Sequence, residues 1–152
     1  MGDEGLNHRM YCVTTPDFKT LSETKLFFDG GFNVIDGTLV KDGDRYLLFM
    51  KDETLIPCQK NIRMAFSHQI FGGFEKVSPP ITGTYWAEGP SAIKIAENWI
   101  VYFDKYKLNQ IGAVRSTDLN EWHDISGQLH FPPGAQHGSV VKIPFVRVKH
   151  LL

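Results

Sequence analysis

Two cysteines, Cys12 and Cys58, are all that the chain holds, and no CxxC spacing joins them. That count argues against a disulfide framework or a cysteine-based zinc site, and both residues are expected as free thiols. Long apolar runs are missing too. No stretch approaches the ~20 apolar residues that a membrane-spanning helix needs, and the opening MGDEGLNHRM is polar and acidic, unlike the basic start and apolar run of a secretory signal. Neither sign of charge dominates: 16 basic against 17 acidic residues give a net charge of -1, so a polyanion such as nucleic acid is not the expected partner. His68, His123, His130 and His150 show no HxxxH-like spacing, which disfavours a histidine-based metal enzyme and leaves them as surface residues. No cofactor and no membrane partner are expected.

Helical periodicity is the next absence, and strand alternation stands in its place. The 152 residues, 42% of them hydrophobic, suit one domain with a real core. Thr38 to Lys51, TLVKDGDRYLLFMK, reads as two apolar-alternating arms around an Asp42-Gly43 turn. Ser91 to Asp104, SAIKIAENWIVYFD, repeats the arrangement around Ala96-Glu97-Asn98, with Trp99, Val101 and Phe103 on one face. A third arm follows each hairpin, IRMAFS from Ile62 and IGAVRS from Ile111, and then a short outer segment, EKVSPPIT or HDISGQLHF. The unit is predicted to have four strands. Two residue ladders share one period: Asp17, Gln69 and Asp118 fall 52 and 49 residues apart, and so do Asp36, Glu88 and His137. A helix-free, four-stranded unit repeating every 50 residues or so is the pattern of β-propeller blades. The fold class is therefore all-β, a partial propeller arc. Its predicted parts are the outer strands of one blade in residues 1–32, complete blades in 33–82 and 83–132, and the inner strand of a further blade in 133–152. A β-sandwich with coincidental turns is the rival.

In a propeller the first strand of each blade lines a central channel, so equivalent entry positions gather at one mouth. Asp36, Glu88 and His137 are expected to converge there. Taken singly, each reads as a solvated turn residue; in phase, the three point to a site. Carboxylates meeting in a funnel with limited water can split their proton affinities, one kept as an acid and the other ionised, as glycosidic bond cleavage requires. Trp86, Tyr85, Phe32 and Tyr106 flank these motifs and could either stack on sugar rings or pack between blades. Trp99 and Trp122 are assigned to packing.

The stretches FNVIDGTLVKDGDRYLLFMKDE, TYWAEGPSAIKIAENWIVYFDKY, GAVRSTDLNEWHDIS and FPPGAQHGSV resemble glycoside hydrolase family 43, especially its arabinosidase-like and xylosidase-like members, over nearly the whole chain from Met10 to Pro144. The resemblance implies a five-bladed propeller and an inverting glycosidase of arabinose- or xylose-containing oligosaccharides or polysaccharides. It implies that Glu88 in AEGP is the general acid and that Asp36 in VIDG is the carboxylate that tunes the acid and orients substrate. It implies too that His137 in QHGS stands near the channel axis, where it can organise a water or a structural ion. Trp86 and Phe32 become candidate substrate-binding residues beside His137. One element of the family pattern is missing. The general base is expected about one repeat before Asp36, where the chain has no residue; Asp3, Glu4 and Asp17 are acidic but belong to an outer strand, MYCVTT, and its surroundings. The pattern is also lost after Pro144, in VVKIPFVRVKHLL. The chain alone is thus expected to be inactive and to associate with itself through exposed blade flanks. A noncatalytic carbohydrate-binding propeller or a degenerate fragment is the alternative, and the invertase and levansucrase propellers fit less well.

Overall fold

The computed structural model describes residues 8–144; Asp3, Glu4, His150 and the tail after Pro144 lie outside the described residues. Strand alternation is borne out. The described residues form three antiparallel sheets, none closed on itself, with one short 3-10 turn at Ser126–Gln128 and no α-helix. The first sheet pairs β1 (Met10–Cys12) with β2 (Lys25–Phe28). The second orders β3 (Val34–Asp42), β4 (Arg45–Asp52) and β5 (Asn61–Ser67), and the third orders β6 (Glu88–Ile95), β7 (Asn98–Lys105), β8 (Gln110–Ser116) and β9 (His123–Asp124).

The two larger sheets are built alike, but the first of them has three strands where the sequence pattern predicts four. The reason is chemical. The segment that should supply the outer strand contains Pro79-Pro80, which have no N–H to donate to a ladder. Its backbone still runs along β5, with Glu75, Ser78 and Ile81 donating to Phe66, Met64 and Ile62 at 2.8 Å each. The hydroxyls of Ser78 and Thr82 accept from the N–H groups of Met64 and Ile62. The edge is closed, though by no regular strand. A second correction concerns the hairpins. Asp42 pairs with Arg45 and Ile95 with Asn98, so the two-residue turns are Gly43-Asp44 and Ala96-Glu97, each led by a residue of positive φ, 64° at Gly43 and 50° at Ala96. No strand forms from His137 to Pro144, where one was predicted. What ties that stretch down is a bond from the Val140 N–H to the Ser91 hydroxyl at 3.0 Å, and a side chain cannot seed a ladder.

The central strand β4 is buried on both faces, which explains its unbroken apolar run from Leu47 to Met50. Leu47 and Phe49 join Ile62, Met64, Trp99, Val101, Phe103 and Val114 in the core between the two larger sheets. Leu48 and Met50 turn the other way, onto Phe28, Val34 and Ala65. Trp99 lies in the first cluster and Trp122 packs against it, so both serve packing as expected. The Asp17 and Asp118 members of the repeat ladder make the same turn. Asp17 Oδ1 accepts from the N–H groups of Lys19 and Thr20, and Asp118 Oδ1 from those of Asn120 and Glu121. The residue after each, Phe18 or Leu119, is left-handed. Gln69 shares with Asp17 and Asp118 the bond from its own N–H to the hydroxyl two residues back, Ser67 here and Thr15 or Ser116 there.

Candidate active site

Asp36 and Glu88 sit at matching irregularities in the first strands of their sheets. Ile35 pairs with Lys51 and Thr38 with Phe49, so Asp36 and Gly37 together oppose Met50 alone. Glu88 pairs with Asp104 and Ser91 with Tyr102, so Gly89 and Pro90 together oppose Phe103. Such bulges bend the strand and re-aim a side chain. The left-handed residue differs, Asp36 at φ 52° in one bulge and Gly89 at φ 57° in the other; aspartate is among the few non-glycine residues that enter this region readily. Gly89 has a second reason to be glycine, because a methyl group there would run into the His137 imidazole.

The bulges bring the three ladder residues together. The Gly89 N–H donates to Asp36 Oδ2 at 3.1 Å, and His137 Nε2 stands 3.5 Å from Glu88 Oε1. One oxygen of each carboxylate and one nitrogen of His137 all lie within 4.8 Å of one another, close enough to share one water or small cation. Asp36, Thr38, Pro90, His137 and Ser139 line an open cleft over this cluster.

A charge relay extends from it. Lys51, its side chain 3% exposed, donates to Glu88 Oε2 at 2.8 Å and pairs with Glu53 Oε2 at 2.6 Å; Glu53 in turn takes Lys60 on its other oxygen. Burial alone would lower the Lys51 pKa, but the bonds to Glu53 and Glu88 outweigh it and raise the value. For Glu53 the balance is reversed: burial pushes it up, and the two lysines bring it below the usual carboxylate range. At the far end, His137 Nδ1 stands 3.6 Å from Asp104 Oδ2.

The aromatic candidates divide. Trp86 packs against Tyr106 with centroids 5.7 Å apart, and the Lys51 ammonium lies 4.6 Å from the Tyr106 ring. That half-buried pair flanks the Lys51–Glu88 contact and is a surface on which a sugar ring can stack. Tyr85 instead stacks on Phe103 and donates to Asp124 Oδ2 at 2.6 Å. Burial, and then that bond, push its phenol far above the ordinary range. Phe32 packs onto the Phe28–Val34 cluster with the Arg63 guanidinium 5.8 Å over its ring. It is a half-buried residue in the bend before β3, packed on that cluster. His68, His123 and His130 are exposed, and Cys12 and Cys58 are free.

Lys51 and Asp104 were not among the sequence candidates. Lys51 had a signal: it continues the alternation of Leu47 and Phe49, and a lysine on the core-facing phase of a strand must find a carboxylate. Asp104 gives less away, because its significance depends on a partner 33 residues later in the chain.

The sequence profile of the family described as a probable glycosyl hydrolase domain, related to glycoside hydrolase family 43, matches residues 2–146. No curated protein matches the chain.

Proposed function

The chain belongs to this family of probable glycosyl hydrolase domains, and from that membership we propose that Glu88 is the proton donor in cleavage of a glycosidic bond and Asp36 the carboxylate that orients the sugar beside it. The observation that carries the reading is the meeting of Asp36, Glu88 and His137 in one cluster from three segments about 50 residues apart. Glu88 Oε2 is committed to Lys51, so Oε1 is the oxygen that delivers the proton to the leaving group as the C–O bond breaks. Asp36 does not fit the role of base. An inverting reaction needs about 6.5–9.5 Å between its two carboxyl groups to admit the attacking water, and the Asp36 and Glu88 oxygens approach within 4.8 Å. Asp36 therefore orients substrate and tunes Glu88, and the water is activated by a carboxylate beyond this cluster. The two larger sheets are read as neighbouring blades of a five-bladed propeller arc. Arabinose- or xylose-containing glycans are the substrate class, with the Trp86–Tyr106 pair as stacking surface.

The test compares phenyl and dinitrophenyl arabinosides and xylosides, with azide supplied to stand in for the base-activated water. The chain should release little product without azide and more with it. Glu88→Gln should then lower release from the phenyl glycoside about 10²-fold or more and spare the dinitrophenyl compound, whose leaving group needs no proton. Equal loss on both would make Glu88 a binding residue. Saturable binding of pento-oligosaccharides with no release under any condition would favour a noncatalytic sugar-binding module.

A further inference from the structure

Asp104 is the carboxylate of the cluster with the least evident support. It is 2% exposed, it sits directly across the ladder from Glu88, and its Oδ1 has no hydrogen-bond partner among the described residues. A buried carboxylate is costly unless something compensates its charge. The matching position of the preceding sheet, paired with the residue just before its bulge, is Lys51. Lys51 bonds to Glu88 of the next sheet; Asp104, in the same place, faces His137 Nδ1 at 3.6 Å. Of the two carboxylates beside His137, Glu88 already holds the Lys51 ammonium.

We propose that Asp104 is a positioning residue: it holds His137 as the tautomer with its proton on Nδ1 and so presents the unprotonated Nε2 to Glu88 Oε1. This rests on the reading of Glu88 as proton donor. A neutral imidazole with Nδ1–H directed at a carboxylate has a lone pair on Nε2, and a protonated Glu88 can donate its Oε1–H to that lone pair. The ring then keeps the carboxylic proton on Oε1, the oxygen that Lys51 does not occupy. The arrangement is the second-layer orientation that ligating histidines commonly receive from a carboxylate. Here it acts on an acid. It also explains why position 89 must be glycine, since any larger residue would displace the ring from between the two carboxylates.

Long-range ¹H–¹⁵N correlation spectra of the ¹⁵N-histidine-labelled full chain, followed to the high-pH limit at which the histidine signals stop changing, report each tautomer directly. His137 should be mainly Nδ1–H, while exposed His68, His123 and His130 show the Nε2–H form that free imidazole prefers. Asp104→Asn should move the His137 ratio toward theirs by about tenfold, the worth of a hydrogen bond to a charged acceptor. An unchanged ratio in Asp104→Asn overturns the proposal, and so does a wild-type His137 that is mainly Nε2–H, a measurement that needs no variant to fold. Because the spectra are taken without substrate, the tautomer stands or falls independently of the glycosidase reading, which the aryl-glycoside comparison decides.

Discussion

Replacing Lys51 by methionine keeps the length and apolar stem of the side chain and removes only the ammonium. In the native chain that ammonium is 3% exposed and bonded to two carboxylates, Glu53 and Glu88, which are 25% and 22% exposed. Removing one partner of a buried ion pair costs about 3–5 kcal/mol, mostly from the charge left behind. Two facts reduce that figure here. Both carboxylates keep some contact with water, and Glu53 retains Lys60. About 2–3 kcal/mol is therefore expected, and at about 2–4 °C per kcal/mol for a domain of this size the melting temperature should fall by about 4–12 °C. Circular dichroism melts of Lys51→Met, Glu88→Gln and the double variant form a thermodynamic cycle. If Lys51 holds Glu88, the double variant should be more stable than the sum of the singles implies, with a coupling of about 1–2 kcal/mol. A coupling under about 0.5 kcal/mol would show that the ammonium is satisfied by Glu53 alone, and the reasoning that leaves Oε1 as the proton-carrying oxygen would fail.

Gly89→Ala adds a side chain at φ 57° and against the His137 ring; it should destabilise the chain by about 1–2 kcal/mol and shift the His137 and Val140 resonances, and unchanged ring resonances would mean that His137 does not rest on Gly89. The pH dependence of stability follows from signs. The pKa values of Glu53, Asp42 and Asp124 are lowered on folding, since bonds to their partners overcome burial, so their contribution is present above their unfolded values near 4 and is lost as pH falls through the folded ones. Lys51 is raised, so its contribution is complete below about pH 10.4 and is lost only as pH climbs through a higher folded value. Thermal melts should give a plateau from about pH 5 to 10 with a fall on the acid side; stability that rises on acidification from pH 5 to 3 would contradict the ion-pair assignments.

How much of this could be read from the residues alone depends on whether the information was local. The hairpins were legible because alternation and turn residues are properties of adjacent positions; the first turn lies one residue later than expected and the second is one residue shorter, because Asp42 and Asn98 both pair in their ladders. The missing fourth strand was legible in principle, in Pro79-Pro80, but its side-chain substitutes were not. The gathering of Asp36, Glu88 and His137 followed from a shared period, and a period is visible in one dimension. Phe32 was ambiguous, because an aromatic residue beside a motif looks the same in sequence whether it faces a cleft or packs on a cluster, as Phe32 does on that of Phe28 and Val34. Lys51 and Asp104 have meaning only through partners 37 and 33 residues away, and no repeat announces those pairings.

The extra residue at the Asp36 bulge has a mechanical consequence. Val34 and Val40 are both even-numbered, and in a regular strand they would share a face. Instead Val34 belongs to the cluster with Leu48 and Met50, while Val40 packs against the one with Leu47 and Phe49. One strand is thus anchored in two separate cores, and Asp36 marks the crossover between them. A carboxylate on a surface loop can drift with the loop; this one is pinned from both sides, so its distance to Glu88 is set by the packing of whole sheets and does not depend on closure of a flap.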